Sequence, residues 1–322
     1  MPVKNTAPFL KECIDSIINQ TYINWELIAI NDHSKDDSLE ILKAYEFQDS
    51  RIQVHTNQGK GIVAALQMAY EQSSGAFISR MDSDDINALH KYDSMLKHLQ
   101  NAGEGHVALG QVKYFSADGV GDGFQKYEQW LNGLISKGNC FDEIYKECVI
   151  PSPAWMLHRD DIDRIGGICT ELIPEDYDLC FRMYKNGIQC LLSDDVLLHW
   201  RDSPNRTSRT HEDYTETTML ALKCYYFLDI DYKEENNLIV WGGGKRGKYI
   251  AKYLVRRDIP FAWVCNNKNK IGHEIYGVVL QSVEDLNAIE NKQIVVSVAN
   301  RDERLAISEE CDKEGWETYF FC

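Results

Sequence analysis

Ala76-Phe-Ile-Ser-Arg-Met81, followed by Asp82-Ser83-Asp84, is the stretch that decides the fold class of this chain. The first six residues are typical of a short buried strand, which the chain enters from the turn Ser73-Ser74-Gly75. Residues two apart on an extended backbone point the same way, so Asp82 and Asp84 direct two carboxylates at one point. In open α/β sheets the carboxyl edge binds ligands, and two carboxylates suit a divalent ion that also takes phosphate oxygens.

Strand and helix patterns alternate along the N-terminal half of the chain. Helical spacing of apolar residues predicts helices over 8–20, 36–47, 61–72 and 86–100, and apolar runs predict strands over 25–30 and 51–55. This order predicts an α/β fold with a mostly parallel sheet and helices on both faces. Alone, an Asp-x-Asp triplet is a weak signal, because Asp84 or Asp85 could simply cap the helix that follows.

Composition narrows the class of protein. The chain has 322 residues and a net charge of −16, which argues against nucleic acid as a partner. It contains no apolar run of the roughly 18 residues that a membrane span needs. Its 10 cysteines form no Cys-x-x-Cys pair, which indicates reduced, mostly buried thiols in a cytoplasmic protein.

Five short stretches, in their order along the chain, resemble the family 2 glycosyltransferases of the GT-A fold. The resemblance covers the first ~215 residues. The matching stretches are Met1-Pro-Val-Lys-Asn5, Ser16-Ile-Ile-Asn-Gln-Thr-Tyr22, Trp25-Glu-Leu-Ile-Ala-Ile-Asn-Asp32, Arg80-Met-Asp-Ser-Asp-Asp85 and Glu175-Asp-Tyr-Asp-Leu179. Their common order and spacing are more specific than any one motif.

The resemblance implies a hexosyltransferase that moves a sugar, with inversion, from a nucleotide-sugar donor to an acceptor hydroxyl. The expected donor carries UDP, and the acceptor is a saccharide or a lipid-linked saccharide. Asp82 and Asp84 match the family's pair of ligands for Mn²⁺ or Mg²⁺, with His199 as a weaker third candidate. Asp176 matches the general base, and Glu175 would orient that base or the acceptor. The presence of Glu175 and Asp176 is also explained by the favourable effect of acidic charge at the N-terminus of a helix.

Donor binding is expected at a wider set of positions. The candidates are Pro2, Val3, Asp32, Lys60, Arg80, Asp82 and Arg201. Asp32 matches the residue that hydrogen-bonds the nucleotide base, although the stretch Asn31-Asp-His-Ser34 is also typical of a turn. Lys60 fits a solvated surface lysine equally well. The polar, basic segment 204–210, with Arg206 and Arg209, suits a lid that closes over the diphosphate.

Three features depart from the family pattern. Lys4 stands where an aromatic residue usually stacks on the base, and its ammonium could instead meet a phosphate. His33 replaces a common glycine. The chain also starts inside the carboxyl end of the family's central first strand, so we expect either a start codon further upstream or a truncated version of the protein.

Aromatic residues cluster between residues 103 and 150. Core packing is the favoured interpretation, and a sugar-stacking surface is the alternative. The cluster contains Tyr114, Phe115, Phe124, Tyr127 and Trp130.

A second unit is predicted from a polar break at 234–237. We place the domains at 1–232 and 233–322. A buried strand over 238–241 leads into Gly242-Gly-Gly-Lys-Arg-Gly247, so Gly242, Gly244 and Gly247 form a candidate phosphate loop. The unit resembles the small Rossmann-like domain at the N-terminus of PglD-type sugar O-acyltransferases. Asn266 stands where a ribose-binding acid is expected, so a structural or oligomerising appendage is equally compatible with the sequence.

The leading interpretation is therefore a metal-dependent inverting glycosyltransferase of polysaccharide or glycoconjugate assembly. It would be cytoplasmic. The sequence leaves open both peripheral contact at the inner face of the cell membrane and homo-oligomer formation. One rival is a catalytically idle protein that binds nucleotide sugars or assists assembly, which Lys4 and the short first strand favour. The other rival is a Rossmann oxidoreductase or epimerase centred on the second unit, which lacks a Tyr-x-x-x-Lys set at the required spacing.

Overall fold

The computed structural model describes residues 1–117, 119–168, 172–203 and 214–322. The chain forms two compact units, Met1–Asp142 with Val149–Thr210, and Glu143–Cys148 with His211–Cys322. The boundary predicted near residue 232 falls inside the second unit. Phe227 explains this, because its ring lies 5.1 Å from that of Tyr319, near the chain's end.

Helices and short strands alternate along the first unit. Its helices are α1 (Ala7–Ile18), α2 (Ser38–Gln48), α3 (Gly61–Gln72), α4 (Lys91–Ala102), α5 (Asp122–Lys137), α6 (Arg159–Arg164) and α7 (Glu175–Lys185). Its strands are β1 (Pro2–Val3), β2 (Leu27–Asn31), β3 (Ile52–Thr56), β4 (Phe77–Ile78), β5 (Ile86–Asn87), β6 (His106–Phe115), β7 (Trp155–His158) and β8 (Gln189–Arg201).

These strands form two sheets. The first has the order β1-β2-β3 and is parallel throughout. The second has the order β4-β7-β6-β8-β5, in which β6 and β8 run parallel and the other pairs run antiparallel. A cavity of about 510 Å³ is lined by residues of β2 and of β4. The mixed α/β architecture agrees with the predicted fold class.

The largest differences from the predicted elements lie around the Asp-x-Asp turn. The strand predicted over 76–81 shrinks to Phe77–Ile78, which pairs with β7. The helix predicted over 86–100 begins only at Lys91. Its first residues instead form β5, because Ile86 pairs with His199 of β8 across the sheet. The helix predicted over 61–72 is confirmed.

Aromatic side chains fill much of the core beside β8. Trp200 stacks on Tyr114 with 4.8 Å between ring centroids, and Phe124 lies 5.2 Å from Tyr114. Tyr127 and Trp130 pack against the same core cluster. Core packing is therefore the role of Tyr114, Phe124, Tyr127 and Trp130, four of the five aromatic residues of the predicted cluster.

The second unit is built on one sheet. Its helices are α8 (Glu216–Tyr226), α9 (Lys245–Val255) and α10 (Arg301–Glu314). Its strands are β9 (Asn237–Trp241), β10 (Ala262–Cys265), β11 (Glu274–Ile275), β12 (Val278–Ser282), β13 (Lys292–Val296) and β14 (Glu317–Phe320). The order is β11-β12-β10-β9-β13-β14, parallel except for the β11–β12 pair. Such an open parallel sheet agrees with the predicted Rossmann-like unit.

The cysteines and the lengths of the helices bear on two predictions made from composition. The described cysteines are all free thiols, and most are buried. Across the described ranges, the structure contains no helix that is both long and apolar enough to cross a membrane.

Candidate functional site

Asp32 lies at the carboxyl end of β2 and is held by three donors. Its Oδ1 accepts hydrogen bonds from Asn57 Nδ2 at 2.7 Å and from the Gly61 amide at 3.1 Å. Its Oδ2 accepts from Lys4 Nζ at 2.9 Å. Burial favours a raised pKa of Asp32, but the hydrogen bonds from Lys4, Asn57 and Gly61 outweigh burial and lower it. Asp32 is therefore an ionised acceptor at the ligand-binding edge of the sheet.

A buried arginine joins the Asp-x-Asp turn to the N-terminus of α7. Arg80 Nε donates to Asp82 Oδ1 at 2.9 Å, and its Nη1 donates to Glu175 Oε1 at 3.0 Å. The side chains of Arg80 and Glu175 are only 7% and 2% exposed, whereas that of Asp82 is 23% exposed. The guanidinium thus fixes Asp82 and Glu175 relative to each other while Asp82 stays within reach of a ligand.

Asp176, the next residue along α7, is a partly buried carboxylate with its own anchors. Ser152 Oγ donates to its Oδ2 at 2.7 Å, and the Tyr177 amide donates to its Oδ1 at 2.8 Å. Burial and the neighbouring charge of Glu175 raise the pKa of Asp176 to about 6, although Arg80 and Ser152 act in the opposite direction. A carboxylate with such a pKa is ionised near neutral pH and can accept a proton.

The loop after β1 links these two groups of residues. Lys4 reaches Asp32, and two residues later Thr6 Oγ1 donates to Ser83 Oγ at 3.0 Å. Ser83 lies between Asp82 and Asp84. Asp32 and the Asp-x-Asp turn are therefore positioned by one short segment.

Arg201 contacts the Asp-x-Asp turn. Its Nε donates to the Asp84 carbonyl at 2.7 Å, its backbone amide donates to Asp85 Oδ1, and its Nη2 pairs with Glu12. Its guanidinium also lies 4.4 Å from the Phe115 ring centroid. These contacts give Arg201 a role in holding the turn. Arg206, Arg209 and segment 204–210 lie outside the described residues.

His199 is not brought together with the two aspartates. It is exposed on β8, and its ring meets the edge of Phe115 at 6.5 Å. Within the parts of the chain that the structure describes, no three His, Cys, Asp or Glu side chains are grouped so that they could hold an ion. Asp82 and Asp84, the two carboxylates predicted to bind a hard divalent ion, are both partly exposed.

The other donor-binding candidates lie around Asp32. Val3 is buried, and its carbonyl accepts a hydrogen bond from the Asp32 amide at 2.7 Å. Pro2 precedes it in β1 and is partly buried. Lys60 is exposed immediately before α3, next to the Gly61 amide that binds Asp32.

The candidate phosphate loop of the second unit lies between β9 and α9. A Cβ atom on Gly247 would lie 1.8 Å from the Gly242 carbonyl oxygen, and Gly242 has φ +139°. Lys270 Nζ donates to the Gly243 carbonyl at 2.8 Å. Close packing of helix on strand therefore accounts for Gly242 and Gly247, whereas Gly244 has open space around it.

Two site residues were missed from the sequence. Ser152 contacts Asp176, and its only signal is a serine between Pro151 and Pro153. Asn57 follows β3 directly, as Asp32 follows β2. Polar residues at the carboxyl ends of adjacent parallel strands meet at one edge, so Asn57 could have been found by that rule.

Comparison with known proteins decides the family. The family model for glycosyl transferase family 2 matches residues 1–166. The chain belongs to glycosyl transferase family 2. A glycosyltransferase of Haemophilus influenzae, itself uncharacterised, is 30% identical to it over 73% of this chain and 76% of the relative. The resemblance of the N-terminal stretches to this family is thereby confirmed, while the resemblance of the second unit to PglD-type domains stays a prediction.

Other glycosyltransferases match over shorter stretches. Streptococcus pneumoniae GlyG is 34% identical over 37% of this chain and 40% of GlyG. Escherichia coli WfgD, named as a UDP-Glc:alpha-D-GlcNAc-diphosphoundecaprenol beta-1,3-glucosyltransferase, is 39% identical over 31% of this chain and 39% of WfgD. The chain thus spans about two fifths of these relatives, and 21% of a glycosyltransferase from Rickettsia bellii.

Solved structures support the same fold. The crystal structure of S. aureus TarS 1-349 in complex with UDP-GlcNAc matches with a TM-score of 0.55 and 19% identity, over 80% of this chain and 70% of that TarS fragment. The mannosyltransferase PcManGT from Pyrobaculum calidifontis, in complex with GDP-Man and Mn²⁺, matches with a TM-score of 0.51 and 16% identity, over 71% and 61% of the two chains. The GT-A fold is therefore shared.

Proposed function

We propose that this family 2 glycosyltransferase is a metal-dependent, inverting enzyme that moves a sugar from a nucleotide-sugar donor, with UDP as the expected nucleotide, to an acceptor hydroxyl. The observation that carries the proposal is the Arg80 bridge, which holds Asp82 and Glu175 on one guanidinium. The bridge supports a site in which the residues proposed to bind a metal lie beside those proposed to serve acceptor chemistry, because it joins Asp82 of the first set to Glu175 of the second. One half of the site would bind the diphosphate and the other would activate the acceptor.

Asp176 is the proposed general base. Single displacement at the sugar carbon requires a group that takes the proton of the incoming hydroxyl, and a carboxylate ionised above about pH 6 can do so. Ser152 and the Tyr177 amide hold its two oxygens in place. Glu175 is tied to Arg80, which suits a positioning role and leaves proton transfer to Asp176.

Asp82 and Asp84 are the proposed protein ligands of Mn²⁺ or Mg²⁺. Two carboxylates leave room for oxygens of the donor's diphosphate and for water in the coordination shell. When bound, such an ion would neutralise the diphosphate and help the nucleotide to depart. PcManGT, whose structure contains GDP-Man and Mn²⁺, supports this assignment by fold.

The acceptor is proposed by class from the relatives. WfgD is named for a diphosphoundecaprenol-linked acceptor, and E. coli WbnJ is named for O-antigen biosynthesis. We therefore place this chain in the assembly of a polysaccharide or glycoconjugate, with a saccharide or a lipid-linked saccharide as acceptor.

Anomer-resolved ¹H NMR tests the proposed reaction without knowledge of the acceptor. UDP-glucose and UDP-N-acetylglucosamine would be incubated with the protein and Mn²⁺, so that water serves as a slow acceptor. The first sugar anomer to appear should be β from these α-linked donors. Asp176→Asn should lower the rate by about 10²–10⁴-fold. An α anomer as the first product, or full activity in Asp176→Asn, would contradict the proposal.

A further inference from the structure

Lys91, the first residue of α4, is a fully buried lysine of the first unit. Its exposed fraction is 0%, and its Nζ donates to Asn87 Oδ1 at 2.7 Å and to the Pro153 carbonyl at 2.5 Å. Burial lowers the pKa of Lys91 to about 7, although the charges of Asp85 and Asp82 act in the opposite direction. Burying an ammonium costs free energy unless it is hydrogen-bonded, so Lys91 and its two acceptors fix one another.

One of these acceptors lies on a well-anchored strand. Asn87 belongs to β5 and pairs with Leu198 of β8. Its backbone amide donates to Ser16 Oγ of α1 at 3.1 Å, and its Nδ2 donates to the Tyr92 hydroxyl at 3.4 Å. Asn87 therefore holds the Lys91 ammonium against an element that is itself tied to a neighbouring strand and a helix.

The other acceptor lies in a short turn with two prolines. The turn Pro151-Ser-Pro-Ala154 is closed by a hydrogen bond from the Ala154 amide to the Pro151 carbonyl at 2.9 Å, and its four residues are buried. Because neither proline has an N–H, few donors remain to attach the turn to its surroundings, and its carbonyl oxygens become important points of attachment. The Pro153 carbonyl would be left buried without this donor if Lys91 were removed.

The same turn holds the carboxylate of Asp176. Ser152, the neighbour of Pro153, donates from its Oγ to Asp176 Oδ2 at 2.7 Å. The path from the Lys91 ammonium to this carboxylate thus runs through the Pro153 carbonyl and one adjacent residue. A shift of the turn would change the distance between Ser152 and Asp176.

We propose that Lys91 is a positioning residue for the general base, because its ammonium fixes the turn from which Ser152 orients Asp176. The proposal rests on the function proposed above, in which Asp176 takes the proton of the acceptor. The hydrogen bond from Ser152 stabilises the ionised carboxylate, so a loosened turn should make Asp176 easier to protonate. The charges of Glu175 and Arg80 respectively raise and lower the pKa of Asp176, and both residues stay unchanged in the variants that test Lys91.

A ¹³C NMR titration measures the protonation of Asp176 without any substrate. The full chain would be labelled at the side-chain carboxyl carbons of aspartate, and the Asp176 resonance is the one that disappears in Asp176→Asn. The wild-type midpoint is expected near pH 6. Lys91→Met, which donates no hydrogen bond, should raise the midpoint by about 0.5–1 pH unit, as should Ser152→Ala. Lys91→Arg should raise it less, because arginine also donates.

The double variant Lys91→Met/Ser152→Ala separates positioning from a general loss of packing. If Lys91 acts through Ser152, the double variant should titrate where Ser152→Ala does, since the two changes break one connected path. Additive shifts, or a midpoint in Lys91→Met equal to that of wild type, would overturn the proposal. If Lys91→Met does not fold, Lys91→Gln gives the same test with a shorter donor, and an unmoved midpoint there would overturn it equally.

Lys97→Met is the matched control, because Lys97 is an exposed lysine on the same helix. It should titrate as wild type does, and a shift as large as that of Lys91→Met would contradict the proposal.

Hydrolysis of UDP-glucose with Mn²⁺ separates this proposal from the proposed function. The midpoint of the pH–rate profile should follow the NMR midpoint in both wild type and Lys91→Met. An NMR midpoint that moves while the pH–rate profile does not, or a wild-type protein that hydrolyses no donor, would contradict the role of Asp176 as base. Either result would leave the positioning of its carboxylate by Lys91 to be decided by the NMR titration alone.

Discussion

The Arg80 bridge gives the most specific prediction of this account. Arg80→Met keeps much of the side chain's length but removes the guanidinium from Asp82 and Glu175. Glu175 is 2% exposed, so its carboxylate would lose a buried charge partner. Removing one partner of a buried ion pair typically costs about 3–5 kcal/mol. At about 2–4 °C per kcal/mol for a unit of this size, the melting temperature should fall by about 6–20 °C.

Differential scanning calorimetry of the full chain measures this fall in melting temperature in the unfolding transition of the first unit. Lys43→Met serves as the control, because it breaks a surface ion pair with Glu46 of 2.7 Å. That change should cost less than about 1 kcal/mol. The double variant Arg80→Met/Glu175→Gln should recover part of the loss, since it also removes the stranded charge. A melting temperature of Arg80→Met within about 2 °C of wild type would refute this reasoning.

The remaining predictions concern the proposed general base, Asp176, and the glycines of the second unit. Turnover should rise with pH, reach half of its plateau value near pH 6 and then level off, because Asp176 must lose its proton to act. Ser152→Ala removes a hydrogen bond that lowers the pKa of Asp176, so the rise in a pH–rate profile should move to higher pH; an unmoved profile would argue against this contact. Gly247→Ala should destabilise the second unit by about 3 kcal/mol in denaturant titrations, because its Cβ meets a backbone oxygen at 1.8 Å. Gly244→Ala, with open space around it, should cost less than about 1 kcal/mol; similar losses in both variants would contradict the packing argument.

Local patterns allowed much of the fold to be predicted. Helical spacing fixed α3 to the residue, and the apolar run before Asp32 identified β2. The turn after β4 was harder, because whether Ile86 joins a strand or a helix depends on a partner, His199, far along the chain. Sequence periodicity contains no record of such distant pairing.

The same contrast between local sequence patterns and distant contacts applies to the candidate site. Asp32, Asp82 and Asp176 were predicted from motifs. Asp32 follows β2 and Asp176 lies at the start of α7, whereas Asp82 lies in the turn between β4 and β5. The partners of Arg80 could not be predicted, because Glu175 reaches it only through tertiary packing. Ser152 was missed for the same reason. Arg80 was assigned to donor binding from the motif alone, and that role stays a prediction beside the ion pairs it makes.

Calorimetric titration of UDP into the full chain, with and without Mn²⁺, tests the central claim most directly. Wild-type protein and Asp176→Asn should bind UDP with similar affinity, and only when Mn²⁺ is present. Asp84→Asn should lose most of this metal-dependent binding, because one of the two proposed carboxylate ligands is gone. Binding of UDP that is equally tight without metal, or that is unaffected by Asp84→Asn, would contradict the account of a metal-dependent glycosyltransferase site.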